Sequence, residues 1–118
     1  GKSRDVLAGA SGASMSFGPG HVSTSAPPGA ADNVALAGHR DTHFAFLEYL
    51  KPGDVLTLET ASTLTRYVVE SAGIVHESRV DVLERTGRSE LTLITCFPFD
   101  AVVPGGPLRF VVHAVFDR

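Results

Sequence analysis

Apolar side chains in this chain occur in short runs or alternate with polar ones, which is typical of β-strands. Residues 91–96 form the clearest run, because every position there is apolar or β-branched. Further strands are predicted at residues 6–8, 33–38, 55–60, 64–75 and 108–116. Gly73 leaves open whether residues 64–75 form one long strand or two. The pattern therefore predicts a sheet in which residues 91–96 are the central strand.

Helical periodicity is confined to two short stretches. Residues 44–50 place apolar side chains at positions i, i+3 and i+4, which suits a short helix that ends before Pro52. A second short helix is predicted near residues 80–85, within the polar stretch 76–90. Several strands separated by turn signals, with little helix, predict a small all-β fold closed as a barrel or a sandwich.

Length and composition limit the class of protein. The 118 residues fit one domain, so we expect residues 1–118 to fold as a single unit. Hydrophobic residues make up 43% and charged residues 19%, which is typical of a globular chain. The net charge of −3 gives no reason to expect a nucleic-acid partner. No apolar run reaches the 18 or so residues that a membrane-spanning helix needs.

Cys96 is the only cysteine of the chain. It therefore has no disulfide partner within the chain, and a four-cysteine metal site is excluded. A single thiol at the end of a core strand is either a small buried hydrophobic group or a nucleophile on a rigid support. The burial preference of cysteine by itself favours the first interpretation.

Two other side chains have chemistry that complements a thiol. His39 follows Gly38 at the end of a predicted strand, and Arg109 lies within an apolar strand, where a guanidinium is costly unless it faces a cleft or an anion. Each has an ordinary structural interpretation, as a loop histidine or as a solvent-facing arginine. Together with Cys96, they form the set that acyl transfer requires: a nucleophile, a proton carrier and an oxyanion stabiliser.

A metal site is the alternative use of the histidines. His39 and His43 have a spacing that binds zinc on a helix, but no third acidic or cysteine ligand lies nearby in the sequence. His21 lies in a turn, in the string Gly18-Pro19-Gly20-His21, and is expected to pack near the cleft, whereas His76 and His113 have no motif support. We therefore expect neither a metal nor another cofactor.

Three segments of the sequence resemble one protein family. Thr92-Leu93-Ile94-Thr95-Cys96 is similar to the TLxTC signature of sortases, the cysteine transpeptidases of bacterial cell envelopes. Gly38-His39 after an apolar strand resembles their histidine motif. Arg109 follows Cys96 by 13 residues, a spacing seen in that family. The resemblance extends from about Leu7 to Phe116.

Longer strings refine the resemblance. Residues 17–21, 38–44, 96–100 and 104–109 look most like the Gram-negative, proteobacterial sortases near class D. The family implies a closed β-barrel of about seven to eight strands with one or two short helices, and Cys96, His39 and Arg109 in one cleft.

The resemblance also implies a mechanism. The Cys96 thiolate attacks the Thr carbonyl of a Leu-Pro-x-Thr-Gly-like sorting signal, and His39 protonates the leaving glycine amine. An incoming amine then resolves the thioacyl enzyme, while Arg109 holds the substrate backbone or the developing oxyanion. Such a mechanism is chemically reasonable, because an amine leaves poorly unless it is protonated and because an arginine keeps its charge.

Partners and location follow from the same resemblance. The partners are a protein with a C-terminal sorting signal and an amine acceptor, at the extracytoplasmic face of the inner membrane in the cell envelope. The residues implied in signal binding are Ala37, Thr95, Phe97 and Leu83. Residues 76–90 match the variable loop that forms one wall of the signal-binding groove. The chain as given is expected to lack the family's N-terminal membrane anchor and first strand.

Besides a two-histidine metal protein, two other functions remain open. One is a cysteine peptidase that hydrolyses the same signal, with water as the normal acceptor. The other is a catalytically silent β-barrel that serves as a binding module, in which Cys96 is only a structural residue.

Overall fold

The computed structural model describes residues 3–7, 20–21, 31–37, 44–59, 64–98 and 106–117. Within these ranges, the strands are β1 (Ser3–Leu7), β2 (Gly20–His21), β3 (Asn33–Ala37), β4 (Val55–Glu59), β5 (Leu64–His76), β6 (Glu90–Phe97) and β7 (Leu108–Phe116). The helices of the same ranges are two short 3₁₀ segments, Ala45–Tyr49 and Val80–Leu83. The prediction of an all-β fold is confirmed.

The described strands belong to one sheet with the order β1-β4-β5-β7-β6-β3-β2. Two neighbouring pairs, β1 with β4 and β3 with β6, are parallel, and the others are antiparallel. The predicted central strand is β6, which lies between β3 and β7. Leu91, Thr92 and Leu93 are all buried although neighbouring residues of a strand point to opposite faces. Both faces of β6 are therefore covered at these positions, which explains the unbroken apolar and β-branched run.

β5 is a single strand of 13 residues rather than two. Its pairing with β7 shifts register between Val69 and Ser71, so the extra residue is Glu70. Gly73, at which the sequence allows two strands to join, pairs regularly with Val111. An inserted residue bends a strand locally without ending it, which is why one long strand serves both β4 and β7.

The helix predicted at residues 44–50 is a 3₁₀ segment. Phe44, Leu47 and Leu50 are all buried, and they are spaced three residues apart. Because a 3₁₀ helix has three residues per turn, this spacing places all three side chains on one face, whereas an α-helix would spread them. Leu50 is already extended, and Pro52 follows, so the segment is too short for a stable α-helix.

The hydrophobic core lies on the face of the sheet where alternate residues of neighbouring strands meet. Leu91 and Leu93 of β6 are fully buried there, as are Leu56 and Leu58 of β4. The two side chains of each pair are two positions apart, which is the spacing that puts strand residues on one face. The core thus fixes which face each strand turns inward and holds the strand ends in place.

The start of β6 carries a buried carboxylate. Glu90 accepts a hydrogen bond from the hydroxyl of Thr86 at 2.5 Å and also bonds the imidazole of His113. Arg88 lies 3.4 Å from the same carboxylate, and the other ring nitrogen of His113 lies 3.3 Å from Glu70. Burial raises the pKa of Glu90, but the hydrogen bonds from Thr86 and His113 outweigh burial, so the pKa is lowered.

This depressed pKa predicts a contribution to stability that disappears in acid. The contribution is fully present above the ordinary carboxyl pKa of 4.5 and is lost as the pH falls through the lower native value. As the pH falls below 4.5, we expect the free energy of unfolding to fall more steeply in the wild type than in Glu90→Gln. Urea unfolding followed by circular dichroism, from about pH 7 to about pH 3, measures both slopes.

The exposed Glu59 provides the matched control for this experiment. Glu59→Gln should retain the wild-type slope, because its carboxylate is not enclosed by the sheet. Equal acid slopes in the wild type and in Glu90→Gln would contradict the role assigned to the buried carboxylate.

Candidate active site

β6 and β7 bring two of the predicted catalytic residues together. Cys96 lies directly opposite Arg109 in the antiparallel register of these strands. Directly opposed residues have Cβ atoms about 4.5–5.5 Å apart and project from the same face of the sheet. The thiol and the guanidinium therefore start from neighbouring positions, and both side chains are partly exposed rather than sealed in the core.

Both residues line one cavity of about 390 Å³. Its apolar wall consists of Ala37 at the end of β3, Ile94 on β6 and Leu83 in the second 3₁₀ segment. Its polar wall consists of His76, the last residue of β5, and of Glu77 and Arg79, which follow that strand. Thr95 completes the lining beside Cys96. The cavity thus lies where the ends of β3, β5 and β6 meet the beginning of β7.

Three of the four predicted signal-binding residues line this cavity, and the fourth does not. Ala37, Thr95 and Leu83 line the cavity together with Cys96 and Arg109. Phe97 lies outside that lining, and its ring stacks on Phe110 at a centroid distance of 6.2 Å. A part for any of the four in signal binding stays a prediction.

His39 and His43 lie outside the described residues. The described range that contains β3 ends at Ala37, two residues before His39. Ala37 pairs with Ile94, which itself precedes Cys96 by two residues on the parallel neighbour β6. β3 thus leads the chain toward the end of the sheet where Cys96 lies.

Arg109 is held by several acceptors. Its Nη1 donates to the carbonyl oxygens of Gly106 at 2.6 Å and of Leu108 at 2.9 Å. Its Nη2 donates to the Glu77 carboxylate at 3.2 Å. A guanidinium has five N–H groups, so its Nε–H and one Nη2–H remain without a partner among the described residues. Arg109 therefore has both an anion and a cleft, the two features that make a guanidinium tolerable within an apolar strand.

The polar wall was not identified from the sequence. His76 had no motif support, and Glu77 and Arg79 belonged only to the predicted groove loop. The Nδ1 of His76 accepts a hydrogen bond from the backbone N–H of Ser78 at 3.1 Å, so the neutral ring carries its proton on Nε2. Arg79 forms an exposed ion pair with Asp81 at 2.9 Å. These contacts depend on the turn at residues 77–78, which no sequence signal predicts.

Asn33, the first residue of β3, binds the loop that carries Leu83. The side-chain amide of Asn33 donates to the carbonyl oxygens of Val82 at 3.1 Å and of Glu84 at 2.8 Å. Asn33 is itself buried and accepts a hydrogen bond from Thr92 at 2.8 Å. Leu83 is thus held between two anchored carbonyl groups, so this wall of the cavity is tied to the core.

Asp32 fastens the next part of the same loop. Its Oδ1 accepts hydrogen bonds from the backbone N–H groups of Thr86 and Gly87, both at 2.8 Å. Hydrogen bonds from the backbone of Gly87, Asn33 and Thr86 lower the pKa of Asp32. The carboxylate therefore stays charged at neutral pH and keeps the loop attached to β3.

Among the described residues, no three His, Cys, Asp or Glu side chains are arranged to hold a metal ion. None of the helices in the described ranges is both long and apolar enough to cross a membrane.

The chain matches the model of the sortase domain over residues 1–117. It is 28% identical over 109 residues to Sortase D of Bacillus subtilis, an alignment that covers 92% of this chain and 54% of that protein. The chain therefore spans about half the length of this relative.

Solved structures agree with this match. The SrtA sortase from Actinomyces oris has a TM-score of 0.75 and 29% identity, covering 94% of this chain and 69% of that one. Sortase A of Listeria monocytogenes has a TM-score of 0.78 and 25% identity, covering 95% and 77% of the two chains. The predicted likeness to the proteobacterial sortases near class D stays a prediction. The match over residues 1–117 and the shared fold show that this chain belongs to the sortase family.

Proposed function

We propose that this chain is the catalytic domain of a cysteine transpeptidase that acts on C-terminal sorting signals. The observation that carries the proposal is the pairing of Cys96 with Arg109 across β6 and β7 at the wall of one cavity. A nucleophile and a fixed cation beside each other in a cleft suit attack on a carbonyl group, because negative charge develops on its oxygen.

The first half of the reaction forms a thioester. The Cys96 thiolate attacks the Thr carbonyl carbon of a Leu-Pro-x-Thr-Gly-like signal, and the C–N bond to Gly breaks. His39 donates the proton that the leaving amine needs. The position of Ala37 supports this assignment, because two peptide units span only about 7 Å and Ala37 lines the cavity.

Arg109 has the donors that the oxyanion requires. Three of its contacts anchor the guanidinium, while Nε–H and one Nη2–H have no partner in the described part of the chain. In the proposal, these remaining donors face the substrate carbonyl. Because the donors are anchored before the substrate arrives, they need little rearrangement in the transition state.

The apolar wall of the cavity suits the first residues of such a signal. Ala37, Leu83 and Ile94 offer apolar surface for a Leu-Pro pair, and Thr95 of the same lining directly precedes the nucleophile on β6. The anchored loop of Leu83 supports such a role, since a fixed wall lowers the ordering cost of peptide binding.

The second half of the reaction returns the thiol. A primary amine attacks the thioester carbonyl carbon and gives one proton to the imidazole of His39, the new amide C–N bond forms, and the C–S bond breaks as Cys96 leaves as the thiolate. We place this activity in the cell envelope, with the full protein held at the extracytoplasmic face of the membrane. The partners are then a protein that carries the signal and a second molecule that carries the amine.

Intact-protein mass spectrometry tests the proposal. A Leu-Pro-x-Thr-Gly peptide should add the mass of its acyl fragment to Cys96, and an added glycine peptide should convert that adduct into a ligated product. Hydrolysis that an added amine leaves unchanged would indicate the cysteine peptidase instead. Absence of both adduct and product would favour the silent binding module and overturn the proposal.

A further inference from the structure

We propose that Glu77 is a positioning residue that fixes the guanidinium of Arg109 beside Cys96. The inference rests on the proposed function, since it assigns Glu77 to the same reaction. Glu77 lies immediately after β5, and Arg109 lies near the start of β7. Both line the cavity that contains the thiol.

The backbone brings this pair together before the side chains meet. β5 and β7 remain paired to their ends, with His76 opposite Leu108. The backbone N–H of Glu77 then donates to the carbonyl of Pro107 at 2.7 Å. The two side chains therefore start from fixed backbone positions, which reduces the entropy lost when they form an ion pair.

The Glu77 carboxylate fixes the orientation of the Arg109 guanidinium, which the other two contacts leave free. Gly106 and Leu108 both accept from Nη1, so they hold only one corner of the guanidinium. Glu77 holds Nη2 at 3.2 Å. With two corners anchored, the planar group has a defined orientation, and its remaining N–H donors point in set directions.

Positioning and charge have opposite effects here, so they can be separated. The negative charge of Glu77 weakens the field of Arg109 at a developing oxyanion, whereas its hydrogen bond aligns the donors. The Arg109 side chain is 24% exposed and that of Glu77 is 50% exposed. Solvent therefore screens the charge, and alignment dominates.

Steady-state kinetics on a sorting-signal peptide test this inference. We expect Glu77→Ala to lower kcat about three- to fivefold, the size that a partly exposed ion pair allows, with KM nearly unchanged. Glu77→Gln should recover part of the loss, because its amide oxygen still accepts from Nη2. Glu59→Ala, which changes an exposed glutamate at the end of β4 outside the cavity lining, is the matched control and should match the wild type.

A double-mutant cycle identifies the residue through which Glu77 acts. In an Arg109→Ala background, Glu77→Ala should cause no further loss of kcat, because there is no guanidinium left to align. Relaxation of the Arg109 Nε–Hε group in NMR supplies a readout independent of turnover. This group should be rigid in the wild type and more mobile in Glu77→Ala.

The outcomes separate the two proposals. Additive losses in the cycle, or an equally rigid Arg109 in Glu77→Ala, would overturn the positioning role while an active wild type keeps the proposed function. A wild type that forms no thioester would overturn the proposed function, and the part of Glu77 in the reaction with it.

Discussion

Replacing Cys96 with alanine is expected to lower the rate of sorting-signal cleavage by at least about a thousandfold. The alanine lacks the sulfur that forms the thioester, and no other cysteine is present to replace it. The remaining cavity residues would still bind the peptide, so binding should change little. Chromatographic separation of the peptide and its products measures the rate, and fluorescence anisotropy of a labelled peptide measures binding.

Stability must be checked in the same variant. Cys96 is only partly buried and lies near the end of β6, so its loss should change the unfolding free energy by less than about 1 kcal/mol. Urea unfolding of both proteins provides this control. A folded Cys96→Ala protein that still cleaves the signal would show that the thiol is structural and would leave the silent-barrel hypothesis in place.

Replacing Arg109 with alanine should lower kcat by about 100- to 1,000-fold, the usual effect of losing an oxyanion donor. Arg109→Lys should recover little, because an ammonium group cannot donate to Gly106, Leu108, Glu77 and the substrate in the same planar arrangement. Rapid-quench measurement of thioester formation isolates the acylation step from later steps.

Arg66 supplies the matched control for Arg109. It is an exposed arginine on β5 with a long contact of 3.9 Å to Asp117, and it is not part of the cavity lining. Arg66→Ala should therefore retain wild-type kcat. An Arg109→Lys protein as fast as the wild type would mean that only the positive charge matters, and the positioning role of Glu77 would lose its basis.

Most strands were predictable because their signal is local. An apolar run or a period of two identifies a strand wherever its partners lie, and the predicted strands at residues 33–38 and 108–116 match β3 and β7 closely. β1 starts at Ser3, earlier than its prediction, because its polar first residues give no apolar signal. The short helix predicted at residues 44–50 is present, but the sequence does not distinguish its type, since short apolar segments fit three residues per turn as well as 3.6.

The site was predictable in part. Cys96 and Arg109 came from motif spacing, and the structure pairs them across neighbouring strands. His39 lies outside the described residues, so its role stays a prediction. The Glu77 contact was not predictable, because residues 77 and 109 are far apart in sequence and only the long pairing of β5 with β7 brings them together.

The sequence by itself determined the all-β class, the lone thiol at a strand end and the resemblance to sortases, because each depends on residue type and spacing along the chain. Only the tertiary structure decided which polar groups meet. The register of β5 and β7 places Glu77 against Arg109, and that of β6 and β7 brings Glu90 to His113. Such contacts follow from strand order and register, which arise from packing of the whole sheet rather than from any local pattern.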